Sequence, residues 1–457
     1  MKRRTSQSPC VVKVFAHLYA HLYLVALTGV YVSSYLAQAK GQAADVMGGD
    51  PGPFDCNQVH QVQASARNVS HVVSKLKIAS FNAEWLFDGK DDPRYSPWYP
   101  GKTSCPGKSH CGTEQGAQEH ISKVSEYVRL VDADILNLVE VENCNVLREV
   151  ISRSEISDYK PFLKRGVDTA TQQNVALLTK FEPLEPLYRL ESKQTYPIEG
   201  STCGYESNTE KRTTLSKNYV AHYKINDMTV AFHGLHLKAY PKDPYSCAKR
   251  EGQAKIAQAS IRESIERGHE VVVFGDFNDF SYEHLDVQDD FPRSSVLSIL
   301  RDMDSDGEAE LINTMEFLEK GDRYTNWWDK NGNDIVDGNR EYSQIDHVLL
   351  SQGLAKHVSK VEVFHGFDPA MVSDHFPLIV YFDFERQNSG KYEGGAALAE
   401  EAAAEEDGKG GFNAVASLTI GGVVALFIAM MAFFLKRKRR SPAVKFHNIE
   451  SQAIELN

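Results

Sequence analysis

The chain is short of basic charge. Its 50 Lys and Arg stand against 62 Asp and Glu, a formal net charge of −12 over 457 residues. The shortage is concentrated in the middle: residues 1–39 carry 4 basic and no acidic side chains and residues 436–457 carry 6 and 2, leaving 40 basic against 60 acidic over 40–435, near −20. A surface of that sign excludes a tight, sequence-independent nucleic-acid binder, so any nucleic acid must meet a local basic patch or bound cations. No internal repeat at the period of solenoids or propellers is found. No repeated Cys-x-x-Cys or Cys/His spacing argues for zinc. Cysteine is sparse, and with Cys10 inside the first apolar stretch, Cys56, Cys105, Cys111, Cys144, Cys203 and Cys247 remain, an even number that fits three disulfides in an oxidising compartment, with the pairing left open.

Long apolar runs are confined to the two ends. Lys2, Arg3, Arg4 and Lys13 precede an apolar stretch closing in Ala37-Gln38-Ala39, so residues 1–39 are expected to be a secretory signal peptide cut after Ala39, with an uncleaved anchor as the alternative. Residues 414–435 hold 22 residues without a charge, enough for about 33 Å of helix. Lys436-Arg437-Lys438-Arg439-Arg440 follows and marks the cytosolic side. The expectation is a single-pass membrane protein with a 436–457 cytosolic tail, residues 40–413 outside or lumenal, and no evidence on oligomeric state. The sequon Asn68-Val69-Ser70 fits that side. Residues 40–75 read as a flexible leader and the Gly- and Glu-rich 388–413 as an acidic stalk.

Between them, 76–387 alternates strand and helix signals. Strands are predicted at 76–80, 133–139, 174–178, 228–235, 270–274, 345–350, 361–364 and 378–382, and helices at 114–131, 146–152 and 246–267. Mixed strands and amphipathic helices in one block imply an α/β domain of layered sheets with helices outside.

Several strands end in chemistry. Ser373-Asp374-His375 and Gly275-Asp276-Phe277-Asn278 each place Asp beside His or Asn at the edge of an apolar run. Asp276 and Asn278, two apart, point the same way if the strand continues. Asn82 closes the run from Ile78, and Glu140 ends a buried strand, where an unpaired charge is costly and calls for a cation or basic partner. His236 and Lys238 follow another strand, and Asp346 lies inside an apolar one, where histidine is its natural partner. Phosphoester hydrolysis needs this inventory: carboxylates and amides to hold a metal, and a histidine to move a proton near neutrality.

Taken in order, the segments around Asn82, Glu140, His236, Gly275–Asn278, Asp346 and Ser373–His375 resemble the endonuclease/exonuclease/phosphatase superfamily, over 76–384. The resemblance implies a four-layered α/β/β/α sandwich of two mixed β-sheets flanked by helices. It also implies a magnesium site, open to manganese, at Asn82, Glu140 and Asp374, with Asp276 and Asn278 orienting the attacking water and gripping the phosphate. His375 would act with Asp346, as base or as charge stabiliser, and His236 would contact the phosphate. Where many members read Gln-Glu, this chain has Val139-Glu140.

The motifs look most like the secreted nuclease branch, so a nuclease acting on DNA or RNA is expected. A sphingomyelinase-type lipid phosphodiesterase is the alternative, and a non-catalytic receptor on the same fold would predict a broken site. Asp302-x-Asp304-x-Asp306-Gly307 begins like a calcium loop, but its twelfth position is Asn313 where glutamate is wanted, and Asp329-x-Asn331-x-Asn333 lacks the glycine and the closing glutamate. Both read as solvated loops rather than calcium sites, and Trp327-Trp328 beside the second reads as a core pair.

Overall fold

Alternating apolar side chains place two sheets face to face. The computed structural model describes Cys56 and residues 71–90 and 113–385, apart from 169 and 305. The expected signal peptide, stalk, spanning helix and tail lie outside the described residues, as do Cys105, Cys111 and the sequon at Asn68. Among the described residues no helix is long and apolar enough to cross a membrane.

The first half of the domain supplies β1 (Lys75–Leu86), α1 (Glu114–Val131), β2 (Ile135–Val141), α2 (Cys144–Ser154), β3 (Lys160–Leu163) and β4 (Asn174–Thr179). A ribbon of β5 (Lys193–Tyr196) and β6 (Lys211–Thr214) leads to β7 (Asn218–Ile225), β8 (Met228–His236), α3 (Pro244–Glu266) and β9 (Glu270–Asp276). The rest holds α4 (Val296–Arg301), β10 (Leu311–Asn313), β11 (Asn326–Trp327), β12 (Tyr342–Ser343), β13 (Asp346–Ser351), α5 (Gln352–Ala355), β14 (Val358–Val363) and β15 (Leu378–Asp383).

One sheet has six strands in the order β14-β15-β1-β2-β4-β3, the other five in the order β10-β13-β9-β8-β7. Both are mixed, with β1–β2 and β8–β9 parallel and the other pairings antiparallel. The period-two alternation shows why the layers stack. Phe232, Val272, Phe274, Val348 and Leu350 join Ile78, Leu138 and Val380 in the core between the sheets. Their neighbours Ala231, Val271, Val273 and Leu349 face outward against Ala254, Ala257, Ile261, Val296 and Leu300 of α3 and α4. On the opposite side α1 buries a stripe of Ala117, Ile121, Val124, Val128 and Val131. The result is the expected four-layered sandwich.

Caps explain where helix boundaries differ from expectation. Asn143 accepts from Val146 N and starts α2 at Cys144 rather than 146. Asp243 accepts from Ser246 N with Pro244 in the first turn, so α3 starts two residues early. Strand β7 is an addition, since Asn218, His222 and Lys224 interrupt its apolar pattern. Asn218 is nonetheless satisfied by Leu215 O at 2.8 Å, and His222 by Glu185 Oε1 at 2.9 Å. His71, within the expected leader, already pairs with β7 through a 2.8 Å bond to Lys224 O. Disulfides Cys56–Cys144 and Cys203–Cys247 are formed. Of the tryptophan pair, Trp327 is core and donates to Glu341 Oε2 at 3.0 Å, whereas Trp328 is exposed.

Candidate active site

The register of both sheets brings their functional residues to one end. Asp276 lies opposite Asp346 across β9–β13 and beside His236 across β8–β9. Asn82 lies beside Val139 across β1–β2, one residue from Glu140. The gap between sheets is closed by Asn82, whose Nδ2 donates to Asp276 Oδ2 at 3.1 Å and reaches Glu140 Oε1 and His375 Nε2 at 3.4 Å each.

Local turns aim these groups. The β9 strand can end as it does only with glycine at 275, since a Cβ there would lie 1.9 Å from Leu235 O and φ is +140°. Beyond it Asn278, at φ +51°, donates its N–H to Asp276 Oδ1 at 2.8 Å and its amide to Asp276 Oδ2 at 2.9 Å. Glu84, Trp85 and Glu140 also sit at positive φ, so left-handed backbone gathers around the site. Trp85 N–H donates to Glu140 Oε2 at 3.0 Å and Asp374 N–H to Glu84 Oε2 at 3.0 Å. Ser373 Oγ donates to Asn82 O at 2.7 Å and accepts from His375 N–H at 3.1 Å, tying the segment before β15 to β1.

Asp346 and His375 form a buried pair, Oδ2 to Nδ1, at 2.7 Å. Thr325 Oγ1 accepts from Asp346 N–H at 3.0 Å and fixes the strand entry. Burial pushes the His375 pKa down, but the charge and hydrogen bond of Asp346, with Asp374 and Asp276, outweigh it and hold the imidazole well above its ordinary value. Asp276 behaves oppositely: burial and the neighbouring Asp346 push its carboxyl up to about 7. Burial also raises Glu140, against the pull of Lys217 and His375.

One residue at this end was not anticipated. Lys217, largely buried between β6 and β7, places Nζ 3.4 Å from His236 Nε2, 3.2 Å from Gln173 Oε1 and 3.8 Å from Asp168 Oδ2. His236 Nε2 lies 3.5 Å from Asp276 Oδ2 and 3.8 Å from Glu140 Oε1. Burial, then the charges of Lys217, His375 and Lys238, hold His236 neutral, well below its ordinary pKa. Asn174 is committed to backbone, donating to Glu142 O at 2.8 Å and accepting from Gly166 N–H at 2.7 Å, while Gln173 engages Lys217.

The donors suit a hard cation: Glu140, Asp276, Asp346 and Asp374 outnumber the buried cations beside them, and Asp346 Oδ1 is buried without a partner. Asp276, Asp346 and His375 offer atoms all within 4.8 Å of one another. Of the expected ligands, Asn82 turns its Oδ1 to Glu84 N–H at 3.0 Å, and Asp374 Oδ1 lies 3.9 Å from His375 Nε2. Asp302, Asp304 and Asp306 also gather donors, but on a partly exposed turn where Asp302 accepts from Gly307 N–H.

The solved structures found similar include truncated TDP2 of Caenorhabditis elegans, at 17% identity and TM-score 0.39, over 68% of this chain and 97% of that one. An endonuclease/exonuclease/phosphatase family protein of Leptotrichia buccalis gives 15% identity and TM-score 0.39, over 67% and 98%, and one of Beutenbergia cavernae 13% and 0.42, over 68% and 72%. No curated protein matches the sequence. The sequence profile of the endonuclease/exonuclease/phosphatase family matches residues 110–375, more than half of the chain, and includes Glu140, His236, Asp276, Asn278, Asp346, Asp374 and His375. The protein is therefore a member of the endonuclease/exonuclease/phosphatase family of phosphoester hydrolases.

Proposed function

We propose that this hydrolase is a magnesium-dependent nuclease that cleaves the phosphodiester backbone of DNA or RNA by attack of water, tethered to a membrane with its catalytic domain outside or in a lumen. The observation that carries the reading is the buried Asp346–His375 pair at 2.7 Å, set against a neighbouring Asp276 of pKa about 7. Two environments give two roles, the pattern by which one site runs acid and base chemistry near neutral pH. Asp276, ionised in part at neutrality and steadied by both nitrogens of Asn278, accepts the proton of the attacking water. His375, kept cationic by Asp346, presents Nε2–H to the phosphate and stabilises the charge that builds there. Lys217 supplies a fixed positive charge beside His236, whose neutral ring contacts a phosphate oxygen.

Glu140, Asp374 and Asn82 would hold the cation, with Asn82 turning Oδ1 from Glu84 to reach it. When bound, the ion neutralises charge on the phosphate oxygens and lowers the pKa of bound water.

Support for nucleic acid comes from the motifs at Asn82–Phe87, His236–Lys238, Gly275–Asp279 and Gln344–His347, which resemble those of secreted nucleases. The apolar 414–435 followed by five basic residues supports the tether, and two disulfides support an oxidising compartment. The test is cleavage of labelled DNA and RNA with and without magnesium, alongside His375→Ala. Loss of all cleavage on chelation and in the variant is expected, and cleavage of neither polymer by the wild type would overturn the reading.

A further inference from the structure

Just beyond His236 the chain makes an expensive turn. Tyr240 has φ +73°, a left-handed backbone that bulky side chains rarely adopt, yet the residue is 62% exposed. Strain of this kind persists only where its surroundings enforce it. Here the enforcement is explicit: fully buried Arg250 donates to Tyr240 O and Lys238 O at 3.0 Å each and to Pro241 O at 2.8 Å. The same guanidinium donates through Nε to Asp279 Oδ2 at 2.9 Å. One buried cation therefore fixes the loop after β8 and the turn after β9 as a unit, and the tyrosine is held outward at the rim of the site. A ring that merely filled the core would be buried.

Lysines stand beside the ring. Lys238 Nζ stands 5.0 Å from the Tyr240 ring centroid. Lys249 is near enough to act on Lys238, and Lys238 in turn acts on His236 and Lys217. Asp168 and Asp243 also act on Lys238, so the cations beside the ring are set among carboxylates.

We propose that Tyr240 is the stacking platform for a nucleobase flanking the scissile phosphate of a single strand, with Lys238 pairing an adjacent phosphate; this rests on the nuclease reading above. Exposed aromatic rings take bases of any identity because every base has a flat face, and a neighbouring cation follows the backbone. A paired base in a duplex is already stacked, so the platform favours single strands and frayed ends.

The test compares kcat/KM of the full chain on single-stranded DNA and RNA that either carry all bases or have a central run of base-free residues. Wild type, Tyr240→Phe and Tyr240→Asn are measured, asparagine being chosen because it tolerates a left-handed backbone without supplying a ring. The wild type is expected to prefer the base-bearing strand by about tenfold, with the preference kept in Tyr240→Phe and abolished in Tyr240→Asn. The DNA and RNA arms show which sugar the platform serves. A wild type without preference, or Tyr240→Asn with the wild-type preference, overturns the platform while leaving the nuclease reading intact. A wild type that cleaves neither strand overturns the nuclease reading and the platform with it.

Discussion

Lys217 holds its ammonium 3.4 Å from Nε2 of His236. Burial first, and then that charge, keep the imidazole neutral, while the ammonium stands 3.8 Å from Asp168 Oδ2.

Lys217→Met keeps the buried aliphatic stem and removes the charge, leaving Asp168 and Glu140 without it. The expected result is a fall in kcat/KM of about a hundredfold, with Lys217→Arg intermediate, measured at saturating metal. A change below about threefold would remove Lys217 from the chemistry.

Asp346→Asn addresses the charge on His375. In the wild type the imidazole is held above its ordinary pKa, so an active site that needs it protonated loses activity only as pH rises through that elevated value. Without the Asp346 charge, burial acts with less opposition, the pKa falls, and the basic limb of kcat/KM moves to lower pH. An unmoved limb would show that the limb reports another group.

Gly275→Ala tests the close approach of β8 and β9. Its Cβ would meet Leu235 O at 1.9 Å, whereas at Gly268, also at positive φ, a Cβ meets nothing within 4 Å. Gly268→Ala is expected to cost about 1 kcal/mol and Gly275→Ala several-fold more, read from urea midpoints. Equal costs would contradict the geometry.

Acid stability follows from His233, buried in β8 with neither ring nitrogen partnered and its pKa pushed by burial down to about 3. The folded pKa lies below the unfolded one, so between them the unfolded chain binds more protons and stability falls as pH drops from about 6.5 toward 3. His233→Leu should flatten that slope by roughly one proton. A slope unchanged by the substitution would place the titration elsewhere.

The reach of the sequence varied with the physics behind each residue. Asp346 was legible because a carboxylate inside an apolar strand needs a partner, and the structure brings His375 to it. Asp276 and Asn278 were legible because glycine followed by two polar residues spaced two apart fixes a turn. The core strands read well because β-branched and aromatic runs leave little choice. Lys217 was not legible, because β7 itself was hidden by Asn218, His222 and Lys224, and a lysine before an unrecognised strand looks like a solvated loop residue. Its role depends on Gln173 and Asp168, 44 and 49 residues earlier in the chain, which only sheet packing brings near. Arg250 was hidden likewise, since a charged residue in a helix reads as solvent-facing until its four acceptors are seen.

The most direct test of the account is hydrolysis by the purified full chain of single-stranded DNA, RNA, sphingomyelin and phosphoinositides in parallel, with magnesium or chelator, and with His375→Ala beside the wild type. The account predicts magnesium-dependent cleavage of nucleic acid that the variant loses by at least about a hundredfold. Turnover of lipid alone, or equal cleavage by wild type and variant, would contradict it.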